Sequence, residues 1–245
     1  MFVFENLPAY IISNEHQRWA TQAVPNVKSV LTVAGSGDQA LFYKLSGAKI
    51  VDTFDITCNA RVIQDIKYAA IKNLNLEEYR DMLIKLHHVK GDIMSLPEMQ
   101  FLGQFLPSET LRIIENNKSL MFGYGLDASF YPENIPSEPE YAKLRDALDK
   151  PFNFIWADLG SLSTAITGKY DLINISNIFD YVHSGAKQII ILIKLSKYLN
   201  KNGHIVCLPQ VPRYKYDKVK LSHLAYERTE YDEKHAKVIV FQRTK

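Results

Sequence analysis

Short apolar runs alternate with stretches of helical periodicity in the first third of the chain. Residues 29–34 are apolar and rich in β-branched side chains, and they stop at the glycine-containing segment 35–38. A helical pattern follows up to Gly47, where a glycine suits the end of a helix. A second apolar run ends at Asp55, and apolar spacing then predicts a helix over 61–73. This order of strand, glycine turn, helix and strand predicts a parallel sheet with right-handed crossovers.

The second half of the chain continues the alternation. Apolar runs predict strands at 152–157, just before Asp158, and at 170–176. An amphipathic pattern predicts a helix over 186–199, with Asn202 and Gly203 as its stop signal and a fifth strand at 204–209. Two further runs, 221–229 and 236–243, are separated by a charged turn and are expected to form a closing antiparallel hairpin. The pattern therefore predicts about seven strands, five of them in the alternating part.

Almost a hundred residues between Asp55 and Phe152 contain no convincing strand. Their periodicity predicts helices over 76–88, 96–106, 108–117 and 140–149, and three prolines mark an irregular loop between 132 and 139. The segment is too long for an ordinary crossover. We therefore expect one domain over 1–245, with a helical lid at about 75–150 above the carboxyl ends of the strands.

Composition and charge narrow the class of protein. The 245 residues are 47% hydrophobic and 23% charged, which is ordinary for a globular chain. Lys and Arg number 29 against 27 Asp and Glu, and this near-balance argues against a nucleic-acid partner. No apolar run approaches the ~20 residues of a membrane span, and residues 1–5 lack the basic start of a signal peptide. A cytoplasmic protein is expected, and its two cysteines exclude a disulfide scaffold and a four-cysteine zinc site.

The segment Gly35, Ser36, Gly37 and Asp38 is the first candidate for chemistry. It follows the first strand and precedes the first helix, the usual ligand position in an open α/β sheet. Glycines there allow positive φ angles and a close approach of the backbone to a ligand. Asp55 ends the second strand, about twenty residues later, and its carboxylate suits two ribose hydroxyls. The alternative for the glycines alone is a plain tight turn.

Two adenosyl-containing ligands, NAD and S-adenosylmethionine, fit this arrangement. Position 40 is alanine, so the three-glycine dinucleotide pattern is only partly matched. The carboxylate of Asp38 would repel a pyrophosphate. S-adenosylmethionine has no phosphate, and its amino group accepts an acidic neighbour. These features favour S-adenosylmethionine as the cofactor.

The residues around the loop also carry a family resemblance. The segment 30–41, Asp55 and the segment 66–74 resemble the betaine-lipid synthesis enzymes, and 15–19 is similar to the stretch before that family's first strand. Those enzymes are relatives of class I methyltransferases that transfer the 3-amino-3-carboxypropyl group of S-adenosylmethionine to diacylglycerol. The resemblance implies an α/β, Rossmann-like sheet with strand order 3-2-1-4-5-7-6.

The resemblance further implies an S-adenosylmethionine-dependent transferase that moves a methyl or a 3-amino-3-carboxypropyl group. The acceptor would be a small molecule or lipid-like. The alternative is a non-catalytic protein on the same fold that binds an adenosyl ligand or serves as a partner subunit. No metal site is expected.

The family pattern implies one position for each part of the cofactor. Segment 35–38 would line the methionine portion and Asp55 would hold the ribose. Asp158 would contact the adenine amino group, with Leu159 beside the ring. The fourth strand would end beside the sulfonium at Asn174, Ser176 and Asn177. For Asp158, Ser176 and Asn177 the alternative is a cap of the following turn or helix.

Three aromatic residues and one histidine are candidates on the acceptor side. His183 follows the fourth strand and is a candidate general base, since histidine titrates near neutral pH. Tyr124, Phe130 and Tyr131 lie in the irregular part of the insertion and are candidates for an acceptor pocket. The alternatives are an unremarkable loop histidine and an aromatic core.

Overall fold

The computed structural model describes residues 9–89, 91–117, 132–209, 224–231 and 237–244. Within these ranges, seven strands form one sheet: β1 (Ser29–Val33), β2 (Ile50–Asp55), β3 (Asn153–Trp156), β4 (Tyr170–Asn174), β5 (Leu199–Cys207), β6 (Leu224–Tyr231) and β7 (Lys237–Arg243). Their order is β3-β2-β1-β4-β5-β7-β6. The pairings among β1 to β5 are parallel, and β7 pairs antiparallel with β5 and β6. This is the Rossmann-like sheet, with the strand order, that was predicted.

The chain reverses its direction of travel across the sheet at β1. It proceeds from β1 to β2 on one side, then to β3, and returns to β4 on the other side of β1. Val33 is in register with Phe54 of β2, and Thr32 with Asn174 of β4. The carboxyl ends of β1, β2 and β4 therefore meet, and the crevice between β1 and β4 is the position where open α/β sheets bind ligands.

Helices cover both faces of the sheet. The described helices are α1 (Gln17–Ala23), α2 (Asp38–Leu45), α3 (Cys58–Asn73), α4 (Leu76–His88), α5 (Pro97–Leu102), α6 (Ser108–Asn116), α7 (Glu138–Ala147), α8 (Leu162–Ala165) and α9 (Gly185–Ser196). Val30 of β1 belongs to the core formed with α2, α3 and the insertion, whereas Leu31 belongs to the core formed with α8 and α9. Alternate side chains of a strand point to opposite faces, so the sheet separates two apolar cores. Among these helices, none combines the length and apolar character needed to span a lipid bilayer.

The insertion between β2 and β3 is helical in its described residues, 75–89, 91–117 and 132–152, as predicted, and they include α4 to α7 and short 3-10 turns. These helices pack against α3, and α7 also packs against α2. The Tyr141 hydroxyl donates to the Leu74 carbonyl at 3.1 Å, which fixes α7 on the end of α3. Asn117, which follows α6, lies against Cys58, with 3.4 Å between Nδ2 and Sγ. Whether the insertion covers the ligand crevice stays a prediction.

The predicted boundary between the last helix and the fifth strand is wrong. The helix α9 ends at Ser196, and β5 already begins at Leu199, so Asn202 and Gly203 lie inside the strand. The ladder between β4 and β5 has an irregularity at Tyr170/Leu172, and Asn202 has a φ of +63°. A bulge of this kind places turn-type residues within a strand, which explains why they were interpreted as a helix stop.

Candidate functional site

The loop between β1 and α2 has the backbone conformation that its glycines predict. Gly35 has a φ of +49° and Gly37 a φ of +83°, both in the left-handed region. A Cβ added at Gly37 would lie 3.2 Å from the Cα of Gln64 in α3. The Gly37 N–H donates to the Ala34 carbonyl at 2.6 Å and closes the turn. The loop therefore lies directly against α3, with no room for a side chain at position 37.

A Gly37→Ala substitution is expected to lower the free energy of unfolding by about 1–3 kcal/mol, because it combines backbone strain with the contact on Gln64. Gly47→Ala is the matched control. Gly47 also has a positive φ, +97°, but a Cβ there meets nothing within 4 Å. Chemical unfolding of both variants separates strain from contact. Equal losses in the two variants would show that the approach to α3 is unimportant.

Asp55 holds this loop through its carboxylate. Oδ2 accepts the Gly35 N–H at 3.0 Å, and Oδ1 accepts the N–H groups of Ile56 at 2.8 Å and Thr57 at 3.2 Å. Burial raises the pKa of the Asp55 carboxyl, and these backbone donors act in the opposite direction. A carboxylate offers about four lone-pair sites, so the three backbone bonds leave acceptor capacity for a hydroxyl. The side chain organises the loop independently of any ligand.

Asp38 and Ser36 are engaged in a buried cluster below the loop. The Asp38 carboxylate forms an ion pair with Lys67 of α3, and both side chains are almost inaccessible to solvent. Its Oδ2 also accepts the Ser13 N–H at 2.7 Å and the Ser36 hydroxyl at 2.9 Å. The sequence analysis predicted only a cofactor contact for Asp38 and did not predict its ion pair with Lys67. Its contact with a ligand stays a prediction.

The end of β4 has an unusual backbone. Ser176 has a φ of +54°, which is uncommon for a residue with a side chain. Its N–H donates to Asn174 Oδ1 at 2.9 Å, and its carbonyl accepts from the Leu208 N–H at 2.8 Å. Such conformations persist where the surroundings enforce them and are concentrated at functional sites. Ser176 and Asn174 are both buried beside β1.

Glu15 is the main site residue that sequence reasoning did not single out. It precedes α1 and is only 5% exposed. Its carboxylate accepts the Ser176 hydroxyl, the Gln39 amide at 3.3 Å and the backbone N–H of Asn177. Gln17 Nε2 donates to it as well, at 3.4 Å. Glu15 thus joins the N-terminal segment to α2 and to the end of β4.

Burial raises the pKa of the Glu15 carboxyl to about 7, and no lysine, arginine or histidine of the described residues forms an ion pair with it. The four hydrogen-bond donors lower the pKa but do not cancel the effect of burial. An isolated carboxylate in this environment is costly, whereas a protonated one is not. The ionised Glu15 carboxylate is therefore well suited to pair with a positively charged group of a ligand.

This raised pKa predicts a pH-dependent stability. The folded chain binds the Glu15 proton up to about pH 7, whereas the unfolded chain releases it near 4.5. The free energy of unfolding should therefore fall as the pH rises from 4.5 to 7, by up to about 3 kcal/mol from this group. Urea unfolding across this range checks the slope. Glu15→Gln should remove the contribution of Glu15 to this slope. An unchanged slope in the variant would contradict the raised pKa of Glu15.

Asp158 and Leu159, predicted at the adenine, lie just beyond β3. Asp158 is exposed, and its Oδ1 accepts the Ser161 N–H at 2.7 Å while its carbonyl accepts from Leu162. Asp158 therefore caps the turn that leads into α8, as the alternative interpretation expected. Leu159 is 8% exposed and packs in the core beneath α8 and α9. Their contacts with a ligand stay predictions.

The candidate acceptor-side residues are less well placed. His183 is exposed in the segment between the 3-10 turn Ile178–Tyr181 and α9. Tyr124, Phe130 and Tyr131 lie outside the residues that the structure describes. Asn177 directly precedes the 3-10 turn, and its backbone N–H donates to Glu15. The catalytic roles of His183 and Tyr124 therefore remain sequence-based hypotheses.

An open cavity of about 460 Å³ lies at the carboxyl edge of β2 and β3. Its lining includes Cys58 at the start of α3, Ile113 and Arg112 of α6, and Trp156 at the end of β3. Trp156 is in register with Asp55, so the cavity adjoins the predicted ribose position. Its size is in the range of small-ligand sites.

Comparisons with known proteins add little to this geometry. The sequence matches no known family profile and no curated protein, so the resemblance to betaine-lipid synthesis enzymes gains no support there. The fold is similar to an rRNA methyltransferase, aviRa from Streptomyces viridochromogenes, with 13% identity, a TM-score of 0.49 and coverage of 97% of this chain and 86% of that one.

Two further structures are similar at the same low level. A conserved hypothetical protein from Streptococcus pyogenes has 11% identity and a TM-score of 0.47, with 93% of this chain and 95% of that chain covered. The N-methyltransferase NodS from Bradyrhizobium japonicum, in complex with S-adenosylhomocysteine, has 8% identity and a TM-score of 0.43, with 94% and 84% covered. Similarity this low does not transfer a function to this chain.

Proposed function

We propose that this chain binds S-adenosylmethionine at the carboxyl edge of β1, β2 and β4 and transfers its methyl or 3-amino-3-carboxypropyl group to an acceptor. One observation carries the proposal. Gly35 and Gly37 both have left-handed backbone conformations, and the carboxylate of Asp55 anchors their loop through the Gly35 N–H. This loop lies where the strand order of the sheet reverses. This geometry supports the proposal because a nucleoside can approach the backbone at such a loop, with the Asp55 carboxylate available to its ribose.

The parts of the cofactor follow the strand ends in this proposal. The methionine portion lies along 35–38, and Asp55 accepts a ribose hydroxyl. The adenine lies towards Asp158 and Leu159, with the cavity at Trp156 as its space. Ser176 and Asn177 flank the sulfonium, since β4 is the strand next to β1.

Placement of the acceptor is the main catalytic contribution of the protein. Bound S-adenosylmethionine supplies an activated sulfonium carbon, so the chain has to hold a nucleophile in line with it and exclude water. Which carbon is attacked depends on how the methionine portion is held. In this proposal His183 and Tyr124 act on the acceptor side, with His183 as the base that accepts its proton.

The acceptor in this proposal is a small or lipid-like molecule in the cytoplasm. The charged residues are nearly balanced, 29 basic against 27 acidic. Strong binding to a phosphate backbone needs a clustered basic excess. The same near-balance is compatible with a neutral acceptor.

Product analysis tests the proposal. Purified chain is incubated with S-adenosylmethionine and, in separate reactions, diacylglycerol micelles, a small-metabolite extract and total RNA. Methylthioadenosine as the released product would identify 3-amino-3-carboxypropyl transfer, and S-adenosylhomocysteine would identify methyl transfer. Tight binding with neither product in any reaction would favour the non-catalytic alternative, and product only with RNA would overturn the proposed acceptor class.

A further inference from the structure

Glu15 lies at the crevice where the sheet order reverses. One of its contacts, Gln39, is on α2 directly after the glycine loop, and another, Ser176, is at the end of β4. Since β1 and β4 are neighbours, the Glu15 carboxylate lies between the two elements that border the proposed methionine position. Its hydrogen bond with Ser176 joins two residues that are 161 positions apart in the chain.

The same crevice contains an unused hydrogen-bond acceptor. Gln39 is 4% exposed, and its Oε1 receives no hydrogen bond from the described residues. Buried acceptors are normally satisfied. A Cβ placed on Gly35 would lie 3.6 Å from this oxygen, so the Gln39 amide lies against the glycine loop. Its Nε2 donates to the Glu15 carboxylate at 3.3 Å, so the same amide group contacts Glu15 and carries an acceptor oxygen without a donor among the described residues.

The buried cluster lacks a positive charge for Glu15. Within the described ranges, no ion pair joins Glu15 to a lysine, arginine or histidine. The buried ammonium of Lys67 is paired with Asp38 instead. Asp38 is thus neutralised within the protein, whereas Glu15 is not. A ligand with an ammonium group would supply both the missing charge and the missing donor for Gln39.

We propose that Gln39 Oε1 accepts a hydrogen bond from the α-ammonium of the methionyl portion of S-adenosylmethionine, that Glu15 supplies the compensating negative charge, and that Glu15 releases its proton to solvent when the ammonium binds. This inference rests on the proposed function and identifies a residue that recognises the amino-acid end of the ligand. Protons and charges balance in this step. The neutral Glu15 carboxyl loses one proton, and the negative charge of the resulting carboxylate compensates the positive charge of one ammonium.

The tyrosines that interact with Glu15 do not supply this proton near neutral pH. Tyr10, from the N-terminal segment, and Tyr43, from α2, both interact with Glu15, and burial raises the pKa of each above 10. The nearest buried ion pair is Asp38 with Lys67. Tyr181, at the end of the 3-10 turn, interacts with Tyr10. Glu15 is accordingly the group expected to lose a proton on binding.

Calorimetric titration at pH 7 in two buffers of different ionisation enthalpy measures this proton release. The probes are S-adenosylhomocysteine, which carries the ammonium, and methylthioadenosine, which lacks the whole amino-acid chain. With a free-state pKa of about 7 for Glu15, the wild type should release about half a proton per S-adenosylhomocysteine bound. Methylthioadenosine should release none.

The variant Glu15→Gln should bind S-adenosylhomocysteine at least ~10-fold more weakly and release no proton, while its affinity for methylthioadenosine stays within about twofold. Glu115→Gln, at an exposed position on α6, is the matched control and should behave as the wild type. The two probes on the wild type give a result even if Glu15→Gln does not fold.

Several outcomes would overturn the inference. Equal proton release with both probes would assign it to another group, as would unchanged release in a folded Glu15→Gln variant. Release with S-adenosylmethionine but not with S-adenosylhomocysteine would place the sulfonium, rather than the ammonium, at Glu15. If neither probe bound the folded wild type, the proposed function would fail as well, whereas binding without proton release would contradict the role of Glu15 alone.

Discussion

Lys67→Met is expected to destabilise the folded chain by about 3–5 kcal/mol, the largest effect of any single change considered. Lys67 is fully buried and pairs with Asp38, which has 3% of its side chain exposed. Removing one member of a buried ion pair leaves the other charge without compensation in a poorly solvating environment. The Ser13 N–H and the Ser36 hydroxyl remain on Asp38, but neither carries a charge. Urea unfolding at pH 7 measures the loss.

Two variants control this prediction. Lys67→Met combined with Asp38→Asn removes both charges and should recover a large part of the lost stability, because the uncompensated charge is gone. Lys85→Met removes a lysine from the exposed pair with Glu98 and should leave the free energy of unfolding nearly unchanged. A Lys67→Met variant as stable as Lys85→Met would disprove the structural importance of the buried pair.

Asp55→Ala is expected to weaken S-adenosylmethionine binding by at least ~10-fold. A charged acceptor contributes about 1.5–3 kcal/mol for each hydrogen bond, and ~1.4 kcal/mol corresponds to a factor of ten. The structure adds a second reason, because the substitution also releases the Gly35 N–H and loosens the loop. Calorimetric titration of the folded variant measures the change.

Asp52→Asn is the matched control, three residues earlier in the same strand. Asp52 accepts the Tyr170 hydroxyl at 2.6 Å and points away from the loop contacts of Asp55. Its replacement should cost about 1 kcal/mol of stability and leave ligand affinity within about twofold. Comparable affinity in the wild type and a folded Asp55→Ala variant would remove the ribose role of Asp55.

Local patterns were sufficient for much of the fold and for the glycine loop. The alternation of strands and helices is encoded over a few residues at a time, so β1, β2 and the loop at Gly35 and Gly37 were recognisable in the sequence. Positive φ angles were expected there because a turn must close between β1 and α2. The strand order came from a family resemblance, since periodicity alone does not define which strands pair.

Contacts between distant segments were not predictable in this way. Lys67 comes directly after Ile66, a residue of the apolar face of α3. Helical spacing does not predict that the Lys67 ammonium forms an ion pair with Asp38, which lies 29 residues earlier in the chain. Glu15 precedes α1 in a polar stretch, and its partner Ser176 is 161 residues away. Such polar groups are buried because tertiary structure gives them partners, and a single sequence does not reveal which partners these are.

Titration of the wild-type chain with S-adenosylhomocysteine, with NAD in a parallel titration, tests the central claim most directly. A site formed by the glycine loop, Asp55 and Glu15 should bind one S-adenosylhomocysteine per chain, and NAD should neither bind nor compete. Absence of S-adenosylhomocysteine binding to the folded chain, or tighter binding of NAD at the same site, would contradict the proposal that the carboxyl edge of β1, β2 and β4 is an S-adenosylmethionine site.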